Sequence, residues 1–233
     1  MTDVRELLAR LNQTTVRFDV GQGGGVPALT NIDIAGALGM VSPGLGREVL
    51  EACWWPDGAA LRRPRLRDAV IALVEPEVRQ QRQRLDAARV ELGIAQACIA
   101  WTASVTDQQR RELDRARGKL EFVAAQCWPR SMMESLPTLV GAVLAEIAGA
   151  GLCEACKGRG ALVTGEAWSE CAACKGRGVM PTSDRQRARA IGRDFAVYCR
   201  NWRAAYLWLL DRFLDAEQQA VREFADAVAR DAA

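Results

Sequence analysis

The sequence predicts a mostly α-helical fold. A helical scaffold carries an inserted four-cysteine double hairpin, and a helix-turn-helix follows it. Three observations lead there. One cysteine octet occurs twice in close succession. Helix-start signals of the capping-box type stand at Thr106-x-x-Gln109 and Ser183-x-x-Gln186. Apolar residues recur at helical spacing in 131–149 and again in 195–229.

The two octets are Cys153-Glu-Ala-Cys156-Lys157-Gly-Arg159-Gly and Cys171-Ala-Ala-Cys174-Lys175-Gly-Arg177-Gly, ten residues apart. Both read C-x-x-C-K-G-R-G. Two C-x-x-C pairs at this separation have the spacing of a structural zinc site. The chain has no histidine, so the ligands must be the four thiolates of Cys153, Cys156, Cys171 and Cys174. Glycines after each pair supply the positive φ that such turns need. Lys and Arg between them offset a centre that is formally −2. Four thiolates leave no position open for a reacting water, so one structural Zn2+ is expected and not a catalytic one. Disulfides would need an oxidising compartment, and the N-terminus reads as a polar amphipathic helix with no signal peptide. A cytoplasmic protein without a membrane span is expected.

The 233 residues carry a net charge of +2, which hides a gradient. Residues 171–210 hold eight basic and two acidic side chains, net +6, whereas 211–233 are net −3. A basic block beside the cysteines points to a polyanionic partner. No histidine, no nucleotide loop and no paired carboxylates in a recognisable setting argue against an enzyme. Cys53, Cys98, Cys127 and Cys199 are isolated in apolar surroundings and read as buried thiols.

The elements follow in order. Thr2 caps a helix over 2–11, and the glycine-rich stretch 19–27 is a flexible loop, so 1–29 form an N-terminal segment. No Lys-Ser/Thr follows the triple glycine, which excludes a phosphate loop. A scaffold spans 30–150. Thr30 or Asn31 caps a helix that ends at Gly39, residues 42–46 turn, and a helix covers 47–54. Trp54 to Gly58 form a turn with one tryptophan inward and one on a rim, or at a partner contact. The basic run 61–67 leads into a helix over 68–74, as a solvated loop or a second phosphate contact. Pro76 opens a long helix to 103 whose apolar run 92–101 is its buried half. Another helix runs from the Thr106 box to 125 and ends before Trp128-Pro129. Ser131 opens a helix with Leu136, Leu139, Val140, Val143, Leu144 and Ile147 on its apolar positions. Residues 151–180 form the zinc hairpins.

The last segment, 181–233, starts at the Ser183 capping box with a short helix over 184–191. Gly192 suits a left-handed end. A longer helix covers 195–229, with Tyr198, Trp202, Ala205, Leu209 and Phe213 on one face. Arg200 and Arg203 lie on another. A short helix, a glycine turn and a basic second helix describe a helix-turn-helix.

The tract from Cys153 onward resembles the late-gene antitermination protein Q family of lambdoid phages. That family carries two C-x-x-C-x-G-x-G hairpins around one zinc, then Met-Pro-x-Ser and a helix-turn-helix. Here the match is Cys153 to Gly160, Cys171 to Gly178, Met180-Pro181-Thr182-Ser183, and Trp202 early in the second helix. Ala37-Leu38-Gly39-Met40 is similar to an upstream Ala-Met-Gly-Met segment, and nothing in 56–130 matches. The resemblance covers about 40% of the chain. DnaJ-type chaperones repeat the same hairpin, but four times around two zincs and beside a His-Pro-Asp motif that this chain lacks.

The resemblance implies a transcription antitermination factor of a bacteriophage, acting in late gene expression. It would bind a promoter DNA element and bacterial RNA polymerase, through the β-subunit flap and the σ factor. Nascent RNA near the exit channel would be a further contact, and suppressed pausing and termination the outcome. A zinc-containing DNA-binding regulator that never travels with polymerase, and a zinc-stapled interaction module, remain alternatives. For base edges the candidates are Arg200, Asn201 and Arg203, since Arg pairs with guanine and Asn with adenine. For phosphates they are Arg185, Arg187, Arg189 and Arg193. Lys157, Arg159, Lys175 and Arg177 are candidate nucleic-acid contacts, with charge balance beside the metal an equal explanation.

Overall fold

The computed structural model describes residues 4–12, 29–60, 63–102, 104–149, 151, 153, 155–156, 161–164, 167–176, 180 and 182–231. The expected Thr2 cap and the 19–27 loop lie outside them. The described residues are mostly helical. They divide into two compact units, one of 1–69 with 134–233 and one of 70–133.

In the larger unit, α1 (Val4–Ala9) is a short amphipathic helix that buries Val4, Leu7 and Leu8. Helix α2 (Asn31–Met40) starts at Thr30, whose hydroxyl accepts from the Asp33 amide while the Asp33 carboxylate accepts from the Thr30 amide. This reciprocal pair satisfies two of the amide donors that a helix start leaves open. Helix α2 runs through Gly39 and ends at an extended Val41, so Gly39 is not the stop that the sequence suggests. Helix α3 (Leu45–Trp54) follows, and α4 (Pro56–Ala60) replaces the turn expected after the tryptophans. Proline suits a first helical position because its missing N–H is not needed there. A Cβ on Gly58 would collide with the Trp55 ring, so Gly58 makes room for it.

The spine of this unit is α10 (Arg203–Asp231), which packs on α2 and α3. Its Ala220, Phe224 and Ala227 join Leu7, Leu8, Ile34, Leu38, Val41 and Leu50 in one buried cluster, against which Trp54 and Trp55 pack half-buried. Two carboxylates are sunk completely beside it. Glu217 accepts from Arg5 and from the Trp54 indole N–H, and Glu51 accepts from Arg47 at 2.9 Å. The Arg5 guanidinium also stacks over the Trp54 ring. Burial, with Glu217 nearby, pushes the Cys53 thiol up to about 12, so this cysteine is inert at neutral pH.

The smaller unit contains most of α5 (Arg63–Ala100) and all of α6 (Asp107–Gln126). Helix α5 is continuous where a break between residues 74 and 76 is expected, because Pro76 sits inside it. Proline removes one backbone hydrogen bond there, yet Val74 and Val78 on either side are buried. Buried or half-buried positions recur at Val74, Val78, Gln81, Leu85, Ala88, Leu92, Ala95 and Ile99 on α5. On α6 they are Gln109, Leu113, Ala116, Leu120 and Val123. Alternating steps of three and four give the seven-residue period of a coiled-coil seam. The Trp128 amide donates to the Gln81 side chain, and Lys119 pairs with Glu91 at 2.7 Å, so the helices run antiparallel. The Thr106 capping box opens α6 as expected.

One seam cannot cover α5 on all sides. The apolar run 92–101 is therefore not a buried half, since Ile94 is 59% and Trp101 90% exposed. Cys98 and Cys199 are likewise exposed and Cys127 half-exposed, so of the four isolated thiols only Cys53 is buried as expected.

A close approach in the larger unit gives the first prediction. A Cβ on Gly46 would collide with the Ala216 carbonyl, where α3 meets α10, whereas one on Gly141 in α7 (Met132–Ala148) would meet nothing within 4 Å. Gly46→Ala is expected to cost roughly 1–3 kcal/mol of stability. Gly141→Ala is expected to add about 0.5–1 kcal/mol through helix propensity. Urea titration of both variants should give shifts of opposite sign.

Candidate metal centre and nucleic-acid interface

Helix α7 delivers the chain to the cysteines. Its Leu136, Leu139, Val143 and Ile147 are buried at helical spacing, as the sequence predicts. Beyond it, Gly151 accepts a hydrogen bond from the Met180 amide at 3.0 Å, which brings together the two ends of the cysteine loop. Between the pairs, strands β1 (Ala161–Thr164) and β2 (Ala167–Glu170) run antiparallel, with Ala161 opposite Glu170 and Thr164 opposite Ala167. The ladder ends one residue before Cys171 and so fixes where the second pair begins.

Cys153, Cys156, Cys171 and Cys174 converge in one buried cluster, every sulfur within 4.8 Å of the others. Cys153 and Cys171 lie 3.9 Å apart, Cys156 and Cys174 3.7 Å. A tetrahedron with metal–sulfur bonds of about 2.3 Å has edges of about 3.8 Å. Two of the six sulfur–sulfur edges match that figure and all lie within 4.8 Å, so the cluster could hold a four-thiolate metal ion. The two pairs are built alike. In each, the second cysteine's sulfur lies against the first one's carbonyl, at 4.0 and 3.9 Å. After the second pair the chain turns back through Lys175 at φ 52° and Gly176 at φ 75°, and the Gly176 amide donates to the Cys171 carbonyl. The glycine was expected to adopt this conformation; the lysine was not. Lys175 is exposed beside the cluster, while Lys157, Arg159 and Arg177 lie outside the described residues.

Helix α8 (Asp184–Ala190) opens at the Ser183 capping box, where Ser183 and Gln186 bond each other's amides. It closes in a Schellman turn. Gly192, at φ 64°, donates to the Arg189 carbonyl and Arg193 to that of Ala188. Asp194 then caps the next helix by accepting from the Ala196 amide. This second helix begins as α9 (Phe195–Val197), passes through a π turn at Tyr198–Trp202, and continues as α10. The π turn is an irregularity that the apolar pattern did not signal. Tyr198, Trp202, Ala205, Leu209 and Phe213 are all buried on the face that the sequence assigns to the core.

The arginines of this segment divide by what they touch. Arg187 is nearly enclosed and binds Glu146 of α7 in two places, at 2.6 and 3.0 Å. It also contacts Asp184 and lies over the Tyr206 ring. Tyr206 donates to the same Glu146 carboxylate at 2.8 Å. The Glu146 bonds raise the Arg187 pKa still further, and burial with Glu146 raises that of Tyr206. One carboxylate thus ties α7, α8 and α10 together. Arg203 pairs with Asp184, and Arg193 lies over Trp202 and donates to Ser135. Arg185, Arg189, Arg200 and Asn201 are exposed, with Arg185 over the Phe195 ring.

Sequence reasoning overlooked Glu146 and Tyr206. The signal was a lone acid in the apolar run 136–149. Tyr198 is buried and its hydroxyl has no hydrogen-bond partner among the described residues; burial pushes its pKa up to about 12. No helix among the described residues is long and apolar enough to cross a membrane. Comparison of the chain with family models, curated proteins and solved structures finds no match.

Two outcomes are expected. Cobalt titrated into the reduced apoprotein should bind one ion per chain and give the intense absorption of a tetrahedral thiolate complex, which Cys153→Ser should weaken strongly. Arg187→Ala should cost roughly 2–4 kcal/mol, since it strands an enclosed carboxylate. Arg185→Ala, removing an exposed ring contact, should cost less than about 1 kcal/mol.

Proposed function

We propose that this chain is a zinc-stapled, DNA-binding transcription antitermination factor of the lambdoid late-gene type. The observation that carries the reading is one juxtaposition. The four-sulfur cluster is closed at Gly151 and Met180 and leads within four residues into a capped short helix, a Gly192 turn and a basic second helix. The octets and Met180-Pro181-Thr182-Ser183 resemble the antiterminators in the same order.

Zinc is the metal in this reading, because four thiolates and a tetrahedral cage suit it and exclude hard cations. It staples a glycine-rich segment that has little core of its own. The helix pair 184–231 acts as a helix-turn-helix. Arg200, Asn201 and Arg203 face base edges, and Arg185, Arg189 and Arg193 face phosphates. Arg187 is reassigned from phosphate contact to positioning, because its donors are bound to Glu146 and Asp184. Lys175 is a further contact to nucleic acid. Once loaded at a promoter, the protein would travel with RNA polymerase, with the β flap, the σ factor and emerging RNA as its surroundings.

Single-round transcription tests this. A cognate late promoter and a downstream intrinsic terminator are transcribed by bacterial RNA polymerase with and without the protein. Readthrough is expected, and it should vanish with Cys153→Ser or a scrambled promoter element. Intact promoter binding without readthrough would leave a DNA-binding regulator that stays at its site. No salt-dependent duplex binding at all would leave an interaction module.

A further inference from the structure

We infer that Phe195 reads the 5-methyl group of a thymine in the DNA element. The inference rests on the DNA-binding reading above and adds a specificity determinant to it. Phe195 is the first residue of the second helix and is 43% exposed. It does not serve the core. The buried face of this helix is complete without it, from Tyr198 and Trp202 through Phe213. Its position is fixed from both sides. Asp194 caps the turn that carries it, and the Arg185 guanidinium of α8 lies 5.4 Å from its ring centre.

A single exposed phenylalanine is ordinary on a protein surface and does not by itself name a partner. Its setting selects the partner. Arg185, Arg189 and Arg193 precede it, and exposed Arg200 stands about one turn further on. An apolar ring with one guanidinium against it complements an apolar spot flanked by phosphate. In duplex DNA the major-groove edge offers one such spot among the four bases, the thymine methyl. The first turn of a recognition helix is also the part that reaches base edges. Arg185 then does two things: it holds the ring by a cation–π contact and presents its remaining donors to the adjoining phosphate.

The test uses the full metal-loaded chain and the duplex it selects from a random library. Each thymine is replaced in turn by uracil, which removes the methyl and leaves pairing and charge unchanged. One or two positions should lose about three- to fivefold in affinity. Phe195→Ala should lose a similar factor on the thymine duplex and become indifferent to uracil at those same positions. Its cobalt spectrum and melting midpoint should match the parent's. Salt-dependent binding with no uracil-sensitive position, or a uracil penalty that Phe195→Ala leaves intact, would overturn this inference and spare the DNA-binding reading. Absence of salt-dependent binding to any duplex would overturn both, and would leave the Phe195 patch as a contact for another protein.

Discussion

The larger unit leans on a single stripe of side chains that begins at Tyr198 in the π turn and ends at Ala227 near the close of α10. Its first third packs under the basic helix pair. Its last third completes the cluster formed by α1, α2 and α3. Burial of large side chains such as Tyr198, Tyr206, Phe213 and Phe224 contributes about 1.5–3 kcal/mol each, which makes this stripe the chief apolar resource of a chain with few aromatics. The stripe also carries polar cargo. Tyr206 meets Glu146 at one end and Glu217 meets Arg5 and Trp54 at the other. Enclosed carboxylates of this kind add little net energy against apolar replacements, but stranding one without its donors is costly. The helices that meet them are therefore held at defined angles and not merely held together.

The features legible in the sequence were those set by residues close together in the chain. The Thr106 and Ser183 boxes each need a side chain and a backbone three residues apart, so the pattern is the structure. The Gly192 turn is local in the same sense. The cysteine cluster reads through because only thiolates at that spacing make a metal cage. The stripe Tyr198 to Phe213 is strong because its members are large and apolar. The α5–α6 seam is weak for the opposite reason: Gln81, Ala88 and Ala95 occupy positions where leucines would have announced it. Pro76 then suggested a break, although one lost hydrogen bond is small against a helix buried on both sides of it. Partners distant in sequence, such as Glu146 with Arg187 or Glu217 with Arg5, follow from packing that no local pattern encodes.

Charge counts alone misjudge the basic block as well. Eight positive side chains in 171–210 suggest one continuous patch, yet the six arginines between 185 and 203 serve three purposes. Arg187 is structural, Arg193 and Arg203 are tethered to neighbours, and Arg185, Arg189 and Arg200 face solvent. The tethered arginines have lost side-chain freedom before any ligand arrives, which reduces the ordering entropy that binding would otherwise cost. The exposed basic surface is thus smaller than the composition implies, and better organised.

The Gly151–Met180 hydrogen bond gives the cysteine loop a neck. A segment whose ends already touch can be inserted between two helices without changing the distance between them. The helices on either side need only a short bridge, and nearly any compact piece with adjacent ends would serve. The loop is built as a cassette: grafted between other helices as one piece, it would keep its internal C-x-x-C geometry.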